Sequence, residues 1–184
     1  MKLVMDEIAG MGIQTRVTLT DLYPVPTSSG IDYWPQSVNG ACVPAELRGV
    51  RTLFASFHHF APATAREVLK DAFDQRSPIC VFEATSRTPG AIALSLLLPL
   101  LVLVITPSIR PASWFQIFFT YLVPVLPLLV FWDGLVSQLR TYSKEELLEL
   151  TSDLYSPDYA WECGVVQAAG IPFKTAYLIG RPIH

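Results

Sequence analysis

Apolar and polar positions along this chain follow three rhythms. Residues 62–75 (PATAREVLKDAFDQ) repeat every three to four positions, with Ala65, Val68, Leu69, Ala72 and Phe73 on one stripe and Pro62 suited to a first turn. That spacing predicts a helix with one buried face. Short apolar runs at 16–21 (RVTLTD), 50–57 (VRTLFASF) and 78–83 (PICVFE) predict strands, the first and third ending at an acid. Strand, helix and strand over 50–83 predict a parallel crossover unit. Residues 161–166 and 175–180 (TAYLIG) read as an antiparallel pair, with Gly170 and Pro172 in the turn between them. Ser143 with Glu146 forms a capping box that opens a short helix over 145–153. Residues 2–8 read as the last turns of a helix stopped by Gly10 and Gly12. Residues 43–47 read as a helical turn. Residues 22–40 carry Pro, Gly and Ser with Tyr23, Tyr33 and Trp34, a loop long enough to cover something.

The third rhythm is the lack of one. From Thr88 to Trp132 the sole charged residue is Arg110, and the run divides into apolar segments at 91–106 and 114–132. The chain as a whole is 51% hydrophobic and 16% charged, with a mean hydropathy of +0.39. The charged share lies below the roughly 25% of ordinary soluble domains. The excess is therefore local: an α/β sequence of ordinary polarity is interrupted by an apolar hairpin. Intrinsic disorder is excluded by the apolar content. With a net charge of −3 and no basic block, no nucleic-acid partner is expected. Cys42, Cys80 and Cys163 are far apart, which fits neither a disulfide framework nor a structural zinc site. No metal site is expected.

Three strand ends concentrate the candidate chemistry, because ligands of open parallel sheets bind at the carboxyl ends of strands. They are Asp21, the pair His58 and His59, and Glu83. An acid at such a position accepts hydrogen bonds from ribose hydroxyls, or it is a solvated strand end. Adjacent histidines on an extended chain point to opposite faces, so one at most faces a cleft. Either imidazole has the right titration range for a general base. Glu83 is an active-site carboxylate or a strand-end charge.

The segments VTLTDLYP, SVNGACVPAELRGVRTLFASFHHF, PATAREVLKDAFDQ, ICVFEAT and WECGVVQAAGIPFKTAYLIGRP, in this order, resemble class I S-adenosylmethionine-dependent methyltransferases. The likeness is to a bacterial group with hydrophobic helices after the fifth strand. It implies a Rossmann-like sheet closed by a C-terminal antiparallel strand pair and interrupted by a hydrophobic helical hairpin. The parts would be a partial methyltransferase domain over 1–87, the hairpin over 88–140 and the rest of the domain over 141–184. The resemblance implies that Asp21, with Leu22, binds the cofactor ribose and that Asn39 and Gly40 border the adenine. Asn39 stands where relatives carry Asp, which keeps an acceptor and drops the charge. Ser56 to His59 would follow the fourth strand, where the family's cleft floor and substrate side meet, with Ser56 among the cofactor-binding residues. The family's Gly-rich D-x-G-x-G turn does not occur in this sequence. The expectation is an N-terminally incomplete domain that binds S-adenosylmethionine weakly or not at all.

For the hairpin three roles are open: a membrane anchor, spanning or re-entrant; a lid over a lipophilic substrate; or a buried core pair. Nineteen helical residues over 114–132 rise about 28 Å, close to the hydrocarbon core, with Trp at both ends. A short connector makes the two helices antiparallel neighbours. Arg76, Arg87, Arg140 and Lys144 flank the returning side against Arg110 at the tip, which orients the soluble part toward the cytoplasm. The expected partners are a lipid bilayer over 91–132 and a small or lipophilic methyl acceptor, with His58, His59 or Glu83 as proton acceptor. The alternatives are a non-catalytic membrane protein that keeps the fold, and a dehydrogenase-type Rossmann protein, which the closing antiparallel pair suits poorly.

Overall fold

The computed structural model describes residues 2–25, 32–84, 87–167 and 174–183. It separates into two compact units, Met1–Leu47 and Arg48–His184.

The first unit opens with helix α1 (Lys2–Gly10), whose end is followed by Gly12 at φ +79°, a left-handed position that favours glycine. Strands β1 (Thr18–Leu19) and β2 (Asp32–Tyr33) then pair in parallel, Thr18 with Asp32 and Leu19 with Tyr33. The predicted first strand is thus reduced to two residues. The predicted loop over 22–40 contains a strand of its own and lies partly outside the described residues. Residues 43–47 hold only a turn, closed by Leu47 N donating to Pro44 O at 3.0 Å.

The second unit carries a four-stranded sheet in the order β3-β4-β6-β5. Strand β3 (Arg51–Phe54) runs parallel to β4 (Ile79–Glu83), with helix α2 (Pro62–Asp74) between them in sequence. The α2 stripe closes as the periodicity requires: Ala65, Val68, Leu69 and Ala72 are buried. An ion pair between Arg51 Nη1 and Asp71 Oδ2, 2.6 Å, ties β3 to α2. Strands β5 (Tyr159–Val166) and β6 (Thr175–Pro182) are antiparallel, and β6 is also antiparallel to β4, Ile79 opposite Gly180. The predicted turn at Gly170 and Pro172 lies outside the described residues. Helix α7 (Lys144–Thr151) begins with the complete capping box: Ser143 Oγ accepts from Glu146 N, and Glu146 Oε2 accepts from Ser143 N.

Between β4 and α7 stands the apolar hairpin. Its first leg is α3 (Pro89–Ser95) followed by α4 (Leu98–Ile105) and a 3₁₀ turn at Thr106–Ser108. The second leg is α5 (Trp114–Ile117), a π-helical turn at Phe118–Leu122, and α6 (Val125–Arg140). The helical run expected over 114–132 is divided into α5, the π turn and α6. The leg bends by 78° between Leu122 and Val125, where Pro124 has no N–H to continue the ladder. Helix α6 instead runs on past Trp132 to Arg140. The legs touch closely: a Cβ on Gly134 would sit 2.4 Å from Leu98 Cδ1, and Tyr121 Oη donates to Leu103 O at 2.6 Å. The stretch Pro89–Ser108 is long and apolar enough to cross a membrane, and little of it is buried. This overturns the buried-core reading of the hairpin, since Leu100, Val104, Trp114, Leu122 and Leu128 all face outward.

Candidate functional site

In the first unit, the tip that follows β1 and the loop that follows β2 are stitched together. Trp34 N donates to Leu19 O (2.8 Å), Val38 N to Asp21 O (2.9 Å) and Ser37 Oγ to Leu22 O (2.6 Å). This brings Asp21 and Leu22 beside Asn39 and Gly40. Both polar side chains make Asx turns: Asp21 Oδ1 accepts from Tyr23 N at 2.8 Å and Asn39 Oδ1 from Ala41 N at 3.0 Å. Each is exposed and keeps acceptor capacity for a ligand. Trp34 Nε1 on the same loop is buried with no partner among the described residues. The two exposed acceptors on adjoining turns are groups that a hydroxyl-rich ligand can bond.

In the second unit, β3 stops at Phe54, three residues short of its predicted end. Ala55 takes φ +46°, rare for a residue with a Cβ, while its N–H bonds Phe82 O at 2.8 Å. Phe57–His59 then form a 3₁₀ turn. Ser56, half-buried, stands at its N-cap without a side-chain capping bond. Because the turn replaces extended chain, the two imidazoles do not point to opposite faces: their rings lie 4.3 Å apart. His58 is buried and His59 is exposed.

Glu83 is neither a solvated strand end nor an open carboxylate; it is fully buried. Its Oε1 accepts from Phe57 N (2.7 Å) and His58 N (3.3 Å), and its Oε2 meets His58 Nδ1 at 2.6 Å. With the carboxylate ionised, Nδ1 is the donor of this pair, because a carboxylate only accepts. The signal for this burial was present in the strand. With a period of two, Glu83 shares a face with Ile79 and Val81, both buried.

Two further residues reach the turn, Arg140 from the end of the hairpin and Tyr142 from just after it, and no spacing announces them. Arg140 Nη2 donates to His59 O at 3.1 Å, and Tyr142 Oη donates to Phe60 O at 2.8 Å. Burial pushes the Tyr142 phenol above its ordinary pKa, with Arg140 pulling the other way, so it remains a donor. Beside it opens a groove of about 590 Å³ lined by Pro62, Arg66, Tyr142, Glu146, Glu149 and Asp153. Burial raises the thiol pKa of Cys80 and Cys163, and the described residues contain no cluster of three His, Cys, Asp or Glu able to hold a metal.

No protein-family model matches the chain, and no curated protein does either. Among solved structures, the chain is similar to one described as a pericyclic reaction enzyme, at 16% identity and a TM-score of 0.49. It is similar to the same degree to a LepI variant in complex with SAH and a substrate analogue. In both cases 97% of this chain is covered and it spans 40% of the other chain.

Proposed function

We propose that this chain belongs to a membrane-associated, S-adenosylmethionine-dependent methyltransferase, acting on a small or lipophilic acceptor. The observation that carries the reading is the sheet order β3-β4-β6-β5. A parallel pair linked by a helix is flanked by a closing antiparallel pair whose last strand lies against β4. That arrangement, with the segment order of the sequence, supports the methyltransferase resemblance. The outward apolar face of the hairpin supports bilayer contact, with the soluble part on the cytoplasmic side.

The cofactor would supply an electrophilic methyl group. Asp21 and Asn39 would hold its ribose and adenine edge, with Leu22 and Gly40 as backbone neighbours; Ser56 is a cofactor residue on the resemblance alone. The two oxygens of Glu83 are committed to the turn, so its role is to orient His58 rather than to carry a proton. His59, the exposed imidazole, is the proton acceptor of this reading.

Saturation-transfer NMR with S-adenosylmethionine tests it, because that measurement registers weak binding. The sequence has no D-x-G-x-G turn, so the expected dissociation constant is roughly 1 mM or weaker. Ribose protons should receive saturation in the wild type and lose most of it in Asp21→Ala. No transfer to any cofactor proton overturns the cofactor assignment and favours the non-catalytic alternative.

A further inference from the structure

The turn at Phe57–His59 is gripped from two sides, and the two grips have different mechanical origins. From within the sheet, Glu83 holds Phe57 N, His58 N and His58 Nδ1. This grip is rooted in β4, hydrogen-bonded to a strand on each side. From outside, Arg140 holds His59 O and Tyr142 holds Phe60 O, while the Tyr142 ring packs on Phe57 at 5.4 Å between centroids. Arg140 belongs to the hairpin's second leg, and Tyr142 follows two residues later in the connector to α7. Arg140 is the last residue of α6, a rod of about 24 Å at 1.5 Å per residue. The rod is keyed to the first leg where Leu98 fills the notch at Gly134.

Ala55, at φ +46°, joins β3 to the turn in a conformation that a residue with a Cβ holds only when its surroundings impose it. The turn is thus bonded to β4 on one side and to Arg140 and Tyr142 on the other.

We propose that α6 and the Phe57–His59 turn act as one unit, so that bilayer engagement of the hairpin fixes the position of His58 and His59. Arg140 and Tyr142 are positioning residues in this scheme, acting through backbone carbonyls. The inference rests on the membrane reading given above. It adds that the bilayer is a regulator of the site as well as an anchor. Without a bilayer, α6 is free to tilt and the second grip loosens. With one, the rod is held and the imidazole pair is ordered.

Hydrogen exchange read by mass spectrometry on residues 56–61 of the full chain tests this, with and without phosphatidylcholine–phosphatidylglycerol vesicles. Flotation is scored on the same samples. Vesicles should slow exchange at 57–60 by roughly threefold or more in the wild type. The double variant Arg140→Ala with Tyr142→Phe should float like the wild type yet lose that slowing. Arg140→Lys alone, which keeps a donor, should retain part of it. Exchange in 79–83 should stay constant throughout, reporting that the sheet is intact. Flotation with unchanged exchange at 57–60, or slowing that survives in the double variant, overturns the coupling. Failure of the wild type to float overturns the membrane reading itself, and the two failures are read separately.

Discussion

Ile79, Val81 and Leu178 in the sheet are fully buried, whereas Leu100, Val104, Leu122 and Leu128 in the hairpin are 59%, 74%, 72% and 60% exposed. The two regions draw on the same aliphatic residues. In the sheet, apolar side chains alternate or repeat with polar ones, and each apolar face meets another face of the same chain. In the hairpin the helices are apolar all round, so pairing one face leaves the others uncovered. Aliphatic content alone therefore does not say where a residue ends up. The rhythm does, because it states how many faces need a partner and whether the chain supplies one.

The sharpest way to separate the regions is to remove the one charge buried in the sheet. Glu83→Ala leaves two backbone amides and the His58 Nδ1 proton without an acceptor in the protein interior. A loss of about 3–5 kcal/mol is expected, read from denaturant unfolding in detergent. A cost near zero would mean that the turn does not depend on Glu83. Next comes a matched pair of truncations. Leu178→Ala should destabilise by about 2–5 kcal/mol, as an emptied core position does. Leu100→Ala in the hairpin should stay within about 0.5 kcal/mol in the same assay. Equal costs at the two sites would erase the distinction drawn here. Ser143→Ala, which removes the capping box where the hairpin returns to the domain, should cost about 1 kcal/mol.

A further effect is confined to alkaline solution. Tyr159 is buried, and its Oη donates to Ser77 O at 2.8 Å. Burial pushes its pKa up to about 12 from an ordinary 10. The folded state thus favours the protonated phenol. Its contribution is complete below pH 10 and is lost as pH rises through about 12, because the unfolded chain releases the proton first. Thermal midpoints of the wild type should fall across that window more steeply than those of Tyr159→Phe. Parallel curves would show that Tyr159 is not the group responsible.

Much of this architecture was legible in the sequence. The stripe over 62–75, the capping box at Ser143 and the short apolar strand runs are local patterns, and local patterns survive folding. What the sequence did not reveal depends on contacts between distant residues. The 3₁₀ turn that sets His58 and His59 side by side exists because Glu83, 25 residues from His58, reaches three of its donors. Arg140 bonds His59 from 81 positions away. The break at Pro124 was partly legible, since proline marks where a ladder fails, but not by how much the chain would turn. In the candidate site, the adjacency of Asp21 and Asn39 was implied by family resemblance and arises here from three backbone-anchored bonds.

The central claim is that the hairpin's exposed apolar surface belongs in hydrocarbon. Fluorescence quenching by vesicles with brominated acyl chains tests it most directly, because Trp114 and Trp132 are 73% and 64% exposed on that surface. Strong quenching is expected in the wild type and should disappear when both are replaced by Phe, leaving the emission of Trp34 and Trp161 unquenched. Emission from Trp114 and Trp132 that brominated lipid leaves unchanged would contradict it.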